Sequence, residues 1–143
     1  MCGVAGAWSD KEINERLFNK AIKTLDHRGP DSHGVWCTQD KRISLGHTRL
    51  AIIDLKASGH QPMQSSTRRY VISFNGEIYN YQSLKSELLG IDPSIKFSGT
   101  SDTEVLLHVI EHFGLIEGIK KLKGMFAAGL WDKKEKKLHL FRD

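Results

Sequence analysis

Tyr70-Val71-Ile72-Ser73-Phe74-Asn75-Gly76 decides the fold class. Its first five residues are mostly β-branched, aromatic or apolar and read as a strand. The Asn-Gly that follows, set between apolar stretches, is the strongest short hairpin signal a sequence offers. Working towards the C-terminus, Asn80 caps a short helix predicted to run through Leu88. Ser101 with Glu104 makes a capping box, and Val105, Leu106, Val109, Ile110 and Phe113 lay one apolar face behind it at helical spacing. Leu115, Ile119 and Leu122 predict another short helix, and Met125 to Trp131 with Leu138 to Phe141 a closing hairpin. Towards the N-terminus, the polar stretch from Lys56 to Arg69, with Gly59 and Pro62, is the longest loop. Val35-Trp36-Cys37 and the run Ile43 to Ile53 are strands around the turn Gln39-Asp40-Lys41. Residues 2–8 make a short buried strand. Ser9 and Glu12 then form a capping box for a helix carrying Ile13, Leu17, Phe18, Ala21, Ile22 and Leu25, which Gly29-Pro30 ends. The strands and helices follow no regular βαβ alternation, so the expected class is α+β.

The bulk numbers agree with one such domain. The chain has 143 residues, 39% hydrophobic and 27% charged, which is ordinary globular composition. No apolar run approaches the ~20 residues that cross a bilayer, and the start of the chain lacks the basic-then-apolar pattern of a signal peptide. Cys2 and Cys37 allow at most one bridge, so the expectation is a reduced, cytoplasmic protein with no membrane role. A net charge of +4 raises the question of nucleic acid. The excess sits in Lys120, Lys121, Lys123 and the run Lys133-Lys134-Glu135-Lys136-Lys137. That run reads as a solvated hairpin turn without the interleaved aromatics of a stacking platform, so no nucleic-acid partner is expected.

Cys2 carries the first chemical signal. Position alone gives it two readings, a small buried residue in a first strand or a nucleophile. Removal of Met1 would expose an α-amine at Cys2. Such amines have a reference pKa of ~7.7–8.0 and are partly unprotonated near neutral pH. An amine of this kind can accept the thiol proton without a separate histidine, the N-terminal form of base-activated nucleophilic catalysis. Asn75-Gly76 likewise has two compatible readings, a turn or a pair of donors aimed into a site. Arg49, Glu77 and Asp102, taken singly, read as surface charges or as a carboxylate placed for a helix dipole.

A metal reading competes. His108-Val109-Ile110-Glu111-His112 fits the H-x-x-E-H pattern of inverted zincins. The two imidazoles, four residues apart, share one helix face. A third ligand is wanting, and both histidines are expected on the solvent flank of their helix, so the expected metal is none.

The motifs are more specific together than apart. In order they are Met-Cys-Gly-Val-Ala-Gly at 1–6, His27-Arg28-Gly29-Pro30-Asp31-Ser32, and Gly46-His47-Thr48-Arg49-Leu50-Ala51-Ile52. Phe74-Asn75-Gly76-Glu77-Ile78-Tyr79-Asn80-Tyr81, Thr100-Ser101-Asp102-Thr103-Glu104 and Gly124-Met125-Phe126-Ala127 follow. The series resembles the glutaminase domain of the N-terminal-nucleophile (class II) glutamine amidotransferases, most of all that of glutamine-hydrolysing asparagine synthetases. The resemblance covers essentially the whole chain.

It implies a four-layer αββα sandwich of two antiparallel sheets, cut short at its C-terminal end, and one glutaminase domain over residues 1–143. It implies hydrolysis of L-glutamine to glutamate and ammonia through a thioester on Cys2. Asn75 and Gly76 match the oxyanion hole, Arg49 the group that holds the α-carboxylate with help from the Ile52 backbone, and Glu77 and Asp102 the acids that recognise the α-ammonium. No cofactor is implied for this chain. ATP and Mg²⁺ belong to a synthetase domain that the resemblance implies as a partner in the full-length protein. The acceptor of the ammonia stays open between aspartate and others, such as a surface-polysaccharide sugar. A homodimer also stays open, as does a folded but inactive fragment.

Overall fold

A computed structural model of the chain describes residues 2–51 and 57–143. Met1 and part of the predicted Ile43 to Ile53 strand, including Ile52, lie outside them. Among the described residues, strands β1 (Gly3–Trp8), β2 (Ser32–Cys37) and β3 (Ile43–Arg49) form one antiparallel sheet in the order β1-β3-β2. Strands β4 (Met63–Gln64), β5 (Tyr70–Ile78), β6 (Gly124–Asp132) and β7 (Lys137–Arg142) form a second, in sequence order. The helices are α1 (Glu15–Lys23), α2 (Tyr81–Ile91), α3 (Asp102–Phe113) and α4 (Leu115–Lys120).

The layering follows from which side of each strand is apolar. Helix α1 lies so close on the first sheet that a Cβ at Gly46 would stand 2.1 Å from Ile22 Cδ1. The opposite face of that sheet meets the second sheet. Ser73 Oγ donates to the Gly46 carbonyl at 2.8 Å, and a Cβ at Gly129 would stand 3.6 Å from Leu45 Cδ2. Behind the second sheet, Ile72, Phe74, Ile78 and Leu130 are buried with Leu84, Leu88, Leu106, Val109 and Ile110 from α2 and α3. Strand residues two apart share a face, so Ser73 looks at one sheet while Ile72 and Phe74 look at the helices. The order is helix, sheet, sheet, helices, the four-layer α+β architecture expected.

Local structure departs from expectation where a long-range partner outbids a local signal. Asn75-Gly76 is not a turn. It lies inside β5, with Asn75 opposite Ala127 and Gly76 opposite Phe126, and the ladder runs on to Ile78 opposite Gly124. Helix α1 starts at Glu15 and is capped by Asn14, whose side chain accepts the Leu17 N–H. Ser9 takes only the Lys11 N–H. Ser101 does cap α3, through the Thr103 N–H, but Glu104 completes no box. Its carboxylate accepts from the Ser98 and Gly99 N–H groups. Asn80 caps nothing with its side chain. It accepts from Lys123 N–H and donates to the Lys121 carbonyl, which joins the start of α2 to the start of β6. The charged run at 133–137 is the β6–β7 turn, as read. Asp132 anchors it by accepting the Lys134 and Glu135 N–H groups and the Arg69 guanidinium. Among the described residues no helix is long and apolar enough to cross a membrane.

Candidate active site

The start of the chain is strapped to the first sheet. Gly3 N–H donates to Thr48 Oγ1 at 3.1 Å, and that hydroxyl donates onward to the Leu25 carbonyl at 3.1 Å. A Cβ at Gly3 would stand 2.5 Å from Thr48 Oγ1, so only glycine lets the chain lie this close. One residue earlier, Cys2 Sγ accepts the Leu50 N–H at 3.3 Å, with the Leu50 carbonyl at 3.7 Å as its own acceptor. The thiol is thereby held over the C-terminal end of β3.

The second sheet supplies backbone donors. Along β5, alternate residues pair with β6, which leaves the peptide groups of Phe74, Gly76 and Ile78 directed to the other edge. Strand β4 covers that edge only as far as Ile72. Beyond it, side chains take over. Gln61 Oε1 accepts the Phe74 N–H at 2.6 Å, and His47 Nε2 meets the Phe74 carbonyl at 3.1 Å. Asp102 Oδ2 accepts the Ile78 N–H at 2.9 Å. The alternation directs the Gly76 N–H to the same edge, between these closed positions.

Cys2, Arg49, Asn75, Gly76, Glu77 and Asp102 all line one cavity of about 140 Å³. Six of the seven site residues expected from sequence are therefore together, and the seventh, Ile52, lies outside the described residues. They differ in character. Glu77 is exposed, whereas Asp102 is only 5% exposed at the start of α3. Burial pushes the Asp102 carboxyl above the usual range, against the lowering effect of the Ile78 and Thr103 N–H groups. Asp102 thus ties α3 to β5 while also facing the cavity.

Two wall residues, His47 and Gln61, had no role in the sequence reading. His47 stands inside a quoted motif, but β3 also carries Ser44, Thr48 and Arg49, so its polarity alone does not single it out. Gln61, in a polar loop, gives no signal. His47 is 1% exposed, and among the described residues its buried Nδ1 has no hydrogen-bond partner, nor does Asn75 Oδ1. Burial, with lesser pressure from His60 and Arg49, pushes the imidazole down from 6.5 to about 4. The unfolded chain takes up this proton near pH 6.5 and the folded one only near pH 4. Stability from His47 is therefore present at neutral pH and falls as pH drops through that window, by about 3 kcal/mol in all. Asp102 acts oppositely, because its ionisation as pH rises costs more when folded. Urea midpoints at pH 7 and pH 4 check this: His47→Gln should lose less stability on acidification than the parent, and an equal loss would contradict the assignment.

His108 and Glu111 of the zincin-like pattern are engaged with other groups. His108 is buried, 8% exposed, with its ring edge-on to Phe97 at 4.8 Å, contrary to the solvent flank expected of it. Its helix lies deeper because Phe97 and the 65–67 segment cover that side. Glu111 spends its carboxylate on Ser66 Oγ and on the Thr67 N–H and hydroxyl. Among the described residues no three His, Cys, Asp or Glu side chains are grouped as ligands.

A thiol at a chain start, facing backbone and amide donors across a cavity with a cation and two acids, defines a class. The chain belongs to the glutamine amidotransferase domain family, which matches residues 1–143. Within that family it is 38% identical to asparagine synthetase [glutamine-hydrolyzing] 1 of Bacillus subtilis, over 100% of this chain and 22% of that protein. It is also 38% identical to asparagine synthetase [glutamine-hydrolyzing] 2 of Oryza sativa subsp. japonica, over 100% of this chain and 23% of that one. A third relative is amidase chry2 of Gibberella zeae, 38% identical over 93% of this chain and 19% of that protein. The chain spans about a fifth of the length of these relatives. The fold is shared with glutamine phosphoribosylpyrophosphate amidotransferase of B. subtilis, at a TM-score of 0.79 and 22% identity, over 98% of this chain and 37% of that one.

Proposed function

We propose that this domain hydrolyses L-glutamine to glutamate and ammonia through a γ-glutamyl thioester on Cys2, and that it supplies the ammonia of an ATP-dependent asparagine synthetase. One observation carries the reading. Four separated stretches, Cys2, 47–50, 74–77 and 101–103, deliver a thiol, amide donors, a guanidinium and two carboxylates to one small cavity.

With Met1 removed, the Cys2 α-amine takes the thiol proton and Sγ attacks the side-chain amide carbon of glutamine. The carbonyl oxygen becomes negative and is met by Asn75 Nδ2 and Gly76 N–H, a donor pair of which each member is worth ~2.7–4 kcal/mol in the transition state. The proton then passes from the amine to the departing nitrogen, the C–N bond breaks, and ammonia leaves. Water cleaves the thioester by the same route and regenerates the thiol. Arg49 holds the α-carboxylate with its planar fork, and Asp102 and Glu77 hold the α-ammonium. ATP and Mg²⁺ serve the synthetase partner domain and take no part in these steps.

A diazoketone analogue of glutamine tests the reading. The expected result is one adduct per chain, on Cys2, which excess L-glutamine prevents. Adducts on Cys37, or none with Met1 removed, would overturn it.

A further inference from the structure

The nucleophile and the amide donors stand on different sheets. Cys2 is fastened to β1 and to Leu50 just after β3, whereas Asn75 and Gly76 belong to β5. Their separation is therefore set by whatever ties β3 to β5 beside the cavity. Among the described residues, two such ties are hydrogen bonds from side chains. Ser73 Oγ donates to the Gly46 carbonyl at 2.8 Å, and one residue further on each strand His47 Nε2 meets the Phe74 carbonyl at 3.1 Å. Of these two, only His47 lines the cavity.

We infer that His47 is a positioning residue for glutamine hydrolysis: its Nε2–H, donated to the Phe74 carbonyl, sets the peptide that leads into Asn75 and Gly76 at a fixed distance from Cys2. The inference rests on the glutaminase reading above. A carbonyl accepts only, so Nε2 carries the proton and Nδ1 is bare, which agrees with Nδ1 having no hydrogen-bond partner among the described residues. The peptide that starts at this carbonyl is held at its other end by the ladder, where Asn75 pairs with Ala127. Strand β4 has already stopped, so no strand replaces His47 at this carbonyl. Burial keeps the imidazole neutral, and its single proton stays on Nε2 throughout the neutral range. Gln61 closes the N–H of the same residue, so both polar groups of Phe74 are fixed by side chains.

The test is glutamate release by the processed chain, per mole of folded protein as counted by the diazoketone label. His47→Leu should lower kcat ~100-fold, the scale of an ångström-sized misplacement, with KM within about twofold because Arg49, Glu77 and Asp102 are untouched. His47→Gln, which keeps a neutral N–H donor of similar reach, should recover at least tenfold over His47→Leu. Should His47→Leu not fold, His47→Asn, too short to reach the Phe74 carbonyl, replaces it with the same expectation. A folded variant with kcat within threefold of the parent, a loss confined to KM, or His47→Gln no better than His47→Leu would overturn the inference alone. An inert parent chain would sink the glutaminase reading and this inference with it.

Discussion

Cys2→Ala is expected to reduce glutamine turnover at least ~10⁴-fold, the scale on which removal of an attacking nucleophile disables an enzyme of this kind, and to leave the fold intact. The second half of that statement is as much a structural expectation as the first. Cys2 precedes β1 and is half-buried, and among the described residues its sulfur makes two hydrogen bonds, both to the backbone of Leu50. Neither is strong, so their loss costs under about 1 kcal/mol. The chain start stays strapped through Gly3 N–H and Thr48 Oγ1. Binding should survive as well, because the groups proposed to hold the α-carboxylate and α-ammonium come from β3, β5 and α3. Calorimetry with L-glutamine should give a Kd within about threefold of the parent chain. Cys37→Ala is the matched control. That thiol sits 3.9 Å from Glu15 Oε1, and burial and the neighbouring carboxylate both raise it, which keeps it in the less reactive thiol form. Turnover should be unchanged there. Residual activity above a tenth in Cys2→Ala would remove the thioester from the account.

Much of the fold was written in local pattern. The apolar spacing of α3 and the β-branched and aromatic run from Tyr70 to Phe74 place a helix and a strand without knowledge of anything distant, and both exist over Asp102–Phe113 and Tyr70–Ile78. Asn75-Gly76 shows where local reading stops. The dipeptide favours a hairpin when its flanks must pair with each other, but the partner of β5 is β6, some fifty residues further along. A distant strand that completes the ladder as far as Ile78 outweighs the turn preference of two residues. The site was legible for a different reason. Cys2, Arg49 and Asp102 carry charge or reactive sulfur and stand in recognisable neighbourhoods. His47 and Gln61 carry no such mark because what they satisfy, the open edge of β5 at Phe74, exists only because the pairing of β4 with β5 goes no further than Met63 opposite Ile72. Nothing in the amino-acid order marks a peptide group as lacking a strand partner. Ser9 and Glu104 fail in the same manner, since each finds a nearer donor than the capping geometry offers.

The other large effect concerns the same strand. Gly76→Ala is expected to cost about 3 kcal/mol or more of stability and to cut turnover of whatever remains folded by a further ~10²–10³-fold. Gly76 has φ of +153°, a conformation that side-chain-bearing residues seldom adopt. Space is lacking too. A Cβ there would lie 2.2 Å from the Met125 carbonyl oxygen and 2.5 Å from Phe126 Cα. Both neighbours are backbone of β6, locked in the ladder, so relief requires β5 to move away from β6 and not the swing of a side chain. Any such movement carries the Gly76 N–H and the Asn75 amide off their line into the cavity. Stability and activity therefore fail through one displacement. Gly90→Ala separates this from a general intolerance of added methyl groups. Gly90 lies in α2, nothing stands within 4 Å of the Cβ position, and helix propensity favours alanine by ~0.8–1.0 kcal/mol. That variant should melt at a higher temperature with turnover unchanged. If Gly76→Ala instead melted like the parent and kept its kcat, the β5 backbone could not be the rigid support of the amide donors, and the proposed stabilisation of the transition state would need another source.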